Sequence, residues 1–443
     1  MQFNLSFLTF NSLGLTPIVI FNTIVGLLYF LAFFYQTVYF FKALLHKSLV
    51  SFPVAEHKRR FAFVIAAHNE ETVIGNLVRS IKDQNYPAEL IDIYVVADAC
   101  TDDTAGEAQR AGAIVWERND LARKGKSWVL DYAFDRIATE KPGYYDDFII
   151  FDADNLLSPD YVSIMNDAFE QGFLALTSYR NSKNFDSSWV SAANAIWFLR
   201  EARYLNSPRT LMGTSCAISG SGWGVDARLV EAMHGWDFHT LTEDIQFSTF
   251  CAANGIRIGF APAEFFDEQP ITMRESWVQR LRWTKGFYQI FFSYVGDLLN
   301  GMGKGRFSSY DMFMTIAPGM FITLASVLVN AVYLLLGSVS HGYLATPNEL
   351  RACVGSLFMV FAMMYATFFI VALTTTISEY SHIHAKRSAI IKNLFTFPFF
   401  MYTYIPITVQ ALFQKVEWVP TKHTVATTLN DVVGKTPDEA PTA

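Results

Sequence analysis

The sequence predicts an α/β protein, an open and mostly parallel sheet with helices on both faces, joined to apolar helices long enough to cross a membrane. Three observations predict it. Between about residues 55 and 305, short apolar runs alternate with stretches of helical periodicity. Acidic and basic residues fall directly after those runs, where the carboxyl ends of parallel strands gather ligand-binding groups. Long segments without Asp, Glu, Lys or Arg flank this region on both sides.

The first of those segments precedes Lys42, and Pro17–Phe41 is long enough for a hydrocarbon core of roughly 30 Å. A cleaved signal peptide fits poorly, because the run is too long, has no basic flank before it and no A-x-A-like site after it. Lys42, Lys47, Lys58, Arg59 and Arg60 follow the span, so the positive-inside rule puts the central region in the cytoplasm. Met312–Ser340 and Cys353–Ile377 are further spanning segments, and Lys386, Arg387 and Lys392 after the last of these agree with that orientation. Asn393–Phe413 is a weaker fourth, since Pro398 and Pro406 favour a kinked, re-entrant or interfacial course. The expected location is the cell membrane, with several passes.

Within the central region Phe61–Ala66 reads as a strand buried on both faces. Val73, Ile74, Leu77, Val78 and Ile81 recur at helical spacing, and Asn85-Tyr86-Pro87 ends that helix. Strands follow at Ile91–Ala97, Ile114–Trp116 and Phe148–Phe151, with helices at Asp103–Ala111 and Ser127–Ile137 between them. No GxGxxG follows the first strand, which argues against a dinucleotide cofactor. A formal net charge of −7 argues against nucleic acid as a partner. The four cysteines form no CxxC pair, so a reduced compartment without a zinc site is expected.

The polar residues at the strand ends carry the chemistry. His68-Asn69-Glu70-Glu71 follows the first strand, Asp98 the second, and Asp152-Ala153-Asp154 the fourth. Two carboxylates in an Asp-x-Asp suit Mg²⁺ or Mn²⁺, which prefer hard oxygen ligands such as these and phosphate. A solvated acidic turn is the alternative. The stretch from Asp98 to Thr104 can cap a helix, and Asp98 can also contact a nucleoside. Arg123-Lys124-Gly125-Lys126 can hold a diphosphate or remain a solvated basic loop. Glu243-Asp244 offers a base for an acceptor hydroxyl, with Asp244 the preferred one, or else only a pair of acids at a helix N-terminus behind Thr242. Gln279, Arg282 and Trp283 fall on one helical face, where a guanidinium pairs with a diphosphate and an indole stacks on a sugar. The same helix, with Trp277, Phe287 and Tyr288, also suits a membrane surface. His234 and His239 read as structural.

Taken in order, Ala67–Glu71, Asp98–Thr104, Asp152–Asp154, Thr242–Asp244 and Gln279–Trp283 resemble the processive, membrane-embedded family 2 glycosyltransferases, which include cellulose, chitin, hyaluronan and poly-N-acetylglucosamine synthases. The resemblance covers roughly residues 15–420 and implies a GT-A fold acting on a UDP-sugar. It implies Asp98 at the uracil, His68, Glu70, Lys124, Lys126, Asp152, Gln279 and Arg282 around the donor, and Asp154 with Asp152 on a Mg²⁺ or Mn²⁺ ion. Asp244, with Glu243 beside it, would be catalytic, and Trp283 would hold the acceptor. Glu417–His423 also looks like a segment of bacterial members. In one departure, Ser219–Gly224 stands where many relatives lead into paired arginines, and here Arg228 is alone.

The implied organisation is an N-terminal span with its linker (1–50), a cytoplasmic GT-A unit with an interfacial helix (51–305), membrane or interfacial helices (306–415) and a polar tail (416–443). The expected function is polymerisation of a sugar from UDP-GlcNAc or UDP-Glc into a surface polysaccharide. The growing glycan, the bilayer and an oligomeric or export partner would be its partners. Transfer to a lipid acceptor is the rival reading, and a non-catalytic nucleotide-sugar-binding subunit the rival from another class.

Overall fold

The computed structural model describes residues 16–316, 318–340, 346–416 and 426–434. Glu417–His423 lies outside the described residues.

The N-terminal helix α1 (Pro17–His46) opens with Thr16 as its cap and Pro17 in the first turn, where a missing N–H costs nothing. The sheet then forms from β1 (Phe61–Ala67), β2 (Ile91–Asp98), β3 (Ile114–Arg118), β4 (Asp147–Asp152), β5 (Leu156–Leu157), β6 (Ala175–Ser182), β7 (Trp223–Asp226) and β8 (Ile258–Asp267). Their order across the sheet is β3-β2-β1-β4-β7-β6-β8-β5. β1 pairs in parallel with β2 and β4, β2 with β3, and β6 with β8. β7 is antiparallel to both β4 and β6, and β5 is antiparallel to β8. All of β1–β4 is where the periodicity puts it, within two residues at each end. The antiparallel insertion of β7 is not visible in the sequence.

Period-two alternation decides which face each side chain serves. Phe61, Phe63 and Ile65 pack with Leu77, Val78 and Ile81 of α2 (Ile74–Lys82) in one apolar cluster. Ala62 and Val64 enter the other cluster, with Leu130, Ala133 and Phe134 of α4 (Lys126–Glu140). The short α3 (Thr104–Ala111) follows β2, and α5 (Tyr161–Phe169) covers β8. Helix α6 (Trp189–Glu201) starts from a Ser188–Ser191 capping box and runs through a π-turn (Ala202–Asn206) into α7 (Ser207–Leu211). After β7 come α8 (Ala227–Ala232), α9 (Glu243–Asn254), and the long α10 (Met273–Gly303), capped by Thr272 and Glu275.

Outside the sheet unit, one expected spanning segment has different bounds, and the segment expected to be kinked or interfacial is divided. Met312–Ile316 belongs to α11 (Phe307–Ile316), which packs against α9 and α10 instead of spanning. Asp311 on α11 is buried and held by Arg209 at 2.7 Å and by the Tyr39 hydroxyl at 2.8 Å, tying α1 to the sheet unit. The segment long and apolar enough to cross a membrane is Phe321–Val339, in α12 (Pro318–Val339). It joins α1 and α13 (Pro347–Ser378), the other two helices that meet that criterion. Asn393–Phe413 is not one helix but two, the end of α14 (Arg387–Tyr402) and α15 (Tyr404–Phe413), broken at Thr403. Arg280 of α10 explains that break. Its guanidinium is fully buried, donates to the Thr403 hydroxyl at 2.6 Å and lies 4.0 Å from the centre of the Phe400 ring.

Candidate active site

The carboxyl ends of β1, β2, β4, β6 and β8 meet the start of α9 and the first turns of α10. On the β2 side, the Asp98 carboxylate accepts from Arg118 Nη1 at 2.6 Å, and Arg118 Nη2 donates to the Arg123 carbonyl at 2.6 Å. Burial pushes Asp98 above the usual carboxylate range, and Arg118 pulls it part of the way back. Nδ1 of His68 is 2.6 Å from the Asp98 carbonyl, so the histidine braces the strand end. The amide of Glu70 donates to Thr104 Oγ1 at 2.7 Å. The cap of α3 is Asp102, whose Oδ1 accepts from Thr104 N at 3.1 Å; Asp103, at the N-cap position, makes no such bond. Lys124 is exposed on the loop and makes no hydrogen bond or ion pair among the described residues.

At the end of β4 the two aspartates have different surroundings. Asp152 Oδ1 accepts from Lys126 Nζ at 2.7 Å, yet its side chain is 40% exposed, at the floor of an open cleft. Burial by the surrounding chain favours its neutral form, but the charges of Lys126, Arg180 and Arg282 outweigh this and hold it below the usual range. Asp154 is buried, with Oδ2 accepting from Glu268 N at 3.2 Å and its carbonyl from Lys183 Nζ at 2.5 Å. Asn155 links this turn to β8 by donating to Asp267 at 2.8 Å, and Arg180 of β6 donates to the same Asp267 at 2.9 Å.

A single turn joins β4 to α9. Lys126 Nζ donates to the Gly220 carbonyl at 2.8 Å, while the Gly220 N–H donates to Asp244 Oδ2 at 2.5 Å. Gly220 has φ +82°, a conformation that costs glycine nothing and that turns both of its peptide groups inward. Ser219 donates to Glu201 at 2.6 Å, and Ser221 accepts from Asp152 N at 2.9 Å. Glu243 and Asp244 are both buried. Burial and the neighbouring Asp244 push Glu243 up to about 7, against the pull of Lys126. Burial also raises Asp244, partly offset by the amides of Ile245 and Gly220. Thr242 does not cap α9, because its hydroxyl makes no cap bond and is buried without a partner among the described residues, while Glu243 and Asp244 both fall in the first turn of that helix. Thr242 instead packs on Gly286, where an added Cβ would lie 2.3 Å from its hydroxyl oxygen, so α10 can approach α9 only through glycine.

On α10, Arg282 Nη1 donates to the Leu241 carbonyl at 2.8 Å, just before the acidic pair. Gln279 Oε1 is buried with no hydrogen-bond partner among the described residues. The half-buried Trp283 meets Phe198 of α6 edge-on, centroids 6.3 Å apart, and Phe198 in turn lies under the Arg180 guanidinium at 3.8 Å. His239 is stacked on Trp128 at 3.6 Å with Nδ1 2.7 Å from Ser127 Oγ, and His234 is exposed.

No group of three or more His, Cys, Asp or Glu positioned for a metal occurs among the described residues. Asp152 and Asp154 nevertheless supply hard oxygens, and Asp152 Oδ2 has no hydrogen-bond partner among them. Two carboxylates leave the rest of an octahedral shell to water and phosphate oxygens, the usual manner of holding Mg²⁺. The residues fit a hard cation that arrives with a diphosphate. Sequence reasoning missed Arg118, Arg180, Asn155 and Asp267, and it singled out Ser219–Gly224 without giving Gly220 or Ser221 a role in the site. Arg118, Arg180 and Asp267 share one signal, a charge at or near the end of a strand.

The family profile described as "Glycosyltransferase like family 2" matches residues 58–286. The probable glycosyltransferase YdaM of Bacillus subtilis (strain 168) is 23% identical over 393 residues, which span 80% of this chain and 84% of that one. The beta-monoglucosyldiacylglycerol synthase of Nostoc sp. (strain PCC 7120 / SAG 25.82 / UTEX 2576) is 26% identical over 275 residues, 58% of this chain and 55% of the synthase, so the chain matches about half of that relative's length. Among solved structures, the mannosyltransferase PcManGT from Pyrobaculum calidifontis, in complex with GDP-Man and Mn²⁺, superposes with a TM-score of 0.54 at 16% identity. The superposition covers 85% of this chain and 98% of that one.

Proposed function

The chain belongs to the glycosyltransferase-like family 2 with a GT-A fold, and from that premise we propose that it is a membrane-bound, inverting transferase moving one hexosyl unit from a UDP-sugar to a lipid acceptor. The observation that carries the transferase reading is the continuous path from Asp152 through Lys126 and Gly220 to the buried Asp244. A donor diphosphate near Asp152 and an acceptor hydroxyl near Asp244 would then meet over one turn.

In this reading Asp244 takes the proton of the acceptor hydroxyl as its oxygen attacks the anomeric carbon. The bond from that carbon to the diphosphate oxygen breaks on the opposite face, and UDP leaves. Asp98, fixed by Arg118, contacts the uracil; His68 and Glu70 line the same side. Arg282, Lys126 and Gln279 bind the donor, and Trp283 supports the acceptor. A Mg²⁺ or Mn²⁺ ion bound by Asp154 and Asp152 with the phosphates would offset the charge on the departing diphosphate.

The lipid acceptor displaces polymerisation as the first choice for two reasons. In α1, α12 and α13, only 11, 11 and 6% of the most apolar stretch is buried by the rest of the chain. Helices so little covered by the rest of the chain present apolar faces to lipid, which suits an acceptor that arrives from the bilayer. The Nostoc relative also carries the name of a glycolipid synthase. The polymerase reading keeps one specific support, the Gln279–Trp283 motif and its order among the others. The test is to supply the purified full chain with each UDP-sugar in lipid nanodiscs and analyse the products. A monohexosyl lipid extractable into organic solvent supports the first reading, and a ladder of longer glycans replaces it with the second.

A further inference from the structure

A cavity of about 470 Å³ opens between the start of α6 and the middle of α14, lined by Ser188, Trp189, Lys392, Thr396 and Phe399. It lies away from the Asp152–Asp244 cleft, and none of its lining takes part in the transfer chemistry. We propose that it binds one anionic phospholipid from the leaflet facing the sheet unit, with Lys392 on the headgroup phosphate and Phe399 beside an acyl chain. The proposal rests on α13 spanning the membrane and on nothing about the sugar or acceptor.

The depth of the cavity follows from α13. About 20 residues cross a hydrocarbon core, so a crossing that starts near Cys353 ends near Ala372. The burial pattern agrees: of the residues after Cys353, only Ala372, Thr375 and Thr376 are buried on α13, where the sheet unit begins to cover it. Helix α14 runs back along α13, with the Tyr365 hydroxyl 3.1 Å from the Phe395 carbonyl and the Phe369 and Phe395 rings 5.1 Å apart. Phe395 therefore lies just inside the apolar boundary. Lys392 is one helical turn outside it, at headgroup level.

The chemistry of the walls matches that depth. Ile391, Phe395 and Phe399, at i, i+4 and i+8, leave an exposed apolar stripe on α14. Trp189 on the facing wall is 37% exposed and meets the Phe400 ring edge-on at 6.3 Å, adding apolar surface beside Phe399. Lys392 is exposed and has no ion pair among the described residues, and Lys386 and Arg387 add to the positive charge at the start of the helix. A cation above an apolar wall complements a phosphate above an acyl chain. A zwitterionic headgroup would bring a second cation to the same place.

The full-length protein is placed in nanodiscs of equimolar phosphatidylglycerol and phosphatidylcholine, and the lipids retained after transfer to detergent are measured by native mass spectrometry. One lysine near the headgroups is worth about a fivefold preference. Wild type should retain phosphatidylglycerol over phosphatidylcholine by that factor, Lys392→Glu should lose the preference, and Lys392→Arg should keep it. Lys42→Glu, at the end of α1, controls for bulk charge and should leave the ratio unchanged. Equal retention of both lipids by wild type, or an equal loss in Lys42→Glu, overturns the site. Protein that enters nanodiscs but shows no preference overturns the site alone; protein that fails to enter them overturns the spanning role of α13 as well.

Discussion

Asp152 at the end of β4 and Asp244 in the first turn of α9 are linked through Lys126 and Gly220. Lys126 Nζ is 2.7 Å from Asp152, and Gly220 accepts from that lysine and donates to Asp244. A change in charge at Asp152 should therefore be felt at Asp244, the proposed base. This coupling sets the first two predictions.

Asp244→Asn should reduce transfer by about 10²–10⁴-fold, the usual cost of losing a general base. The carboxamide still accepts from the Gly220 N–H, so UDP affinity measured by calorimetry should change little. Turnover above about a tenth of wild type would assign the base elsewhere, with Glu243 the next candidate.

The pH dependence follows from Glu243. Its protonated form is favoured in the folded state, because burial raises it to about 7. Its contribution to stability is then fully present below about 4.5 and lost as pH rises through about 7. Glu243→Gln should flatten the pH dependence of Tm over that interval. Burial raises Asp244 too, so the acidic limb of kcat/KM should lie above the usual carboxylate range in wild type and move to higher pH in Lys126→Met, which removes a charge that pulls the pair down. A limb that does not move in Lys126→Met would mean that this lysine does not act on the base.

Most of the first half of the fold was legible because β1, β2 and β4 are mostly buried on both faces and read as apolar runs between amphipathic helices. β7 was not, since Trp223-Gly224-Val225-Asp226 is short and has no alternation of its own. The division of Asn393–Phe413 at Thr403 was signalled only by Pro398 and Pro406, and the assignment of Met312–Ile316 to α11 was hidden, because an apolar run looks the same whether it belongs to one helix or two. In the site, residues within short motifs were found and their partners were not. Arg118 and Arg180 are charges at or near strand ends outside any motif, and only the register of β3 against β2 and of β6 against β8 brings them to Asp98 and Asp267.

Arg118 supplies a test that separates folding from binding. Arg118→Met leaves Asp98 buried without its cation, a change that costs about 3–5 kcal/mol where burial is complete. Tm should fall and the KM for donor should rise. Asp98→Asn combined with Arg118→Met should recover much of the Tm, since the uncompensated charge is gone, while donor KM stays high. Recovery of both would reduce the pair to a structural ion pair.

Chelation should abolish transfer, and Mg²⁺ or Mn²⁺ should restore it, because the donor diphosphate otherwise meets two carboxylates at the end of β4. Asp154→Asn should raise the metal concentration needed for half-maximal activity, read directly from a titration, while the fold stays intact by circular dichroism. Full activity in excess EDTA would leave the neutralising role to Lys126, Arg180 and Arg282.

Trp283 decides what the acceptor is held by. It is half-buried, edge-on to Phe198, and Phe198 is pinned beneath Arg180, so its indole has a fixed wall on one side. An indole held in this way offers its face to a sugar ring or its edge to an apolar chain. Trp283→Ala should raise the KM for acceptor and lower transfer, by about tenfold or more, while hydrolysis of the UDP-sugar to water falls much less, because water needs no platform. Trp283→Phe separates the two kinds of acceptor. It keeps an apolar wall, so activity on a lipid acceptor should be largely restored, whereas stacking on a saccharide terminus should be only partly recovered by the smaller ring. If Trp283→Ala lowers donor hydrolysis and transfer equally, the indole serves the donor or the packing of α6 against α10, and the acceptor platform must be sought among other residues of the cleft.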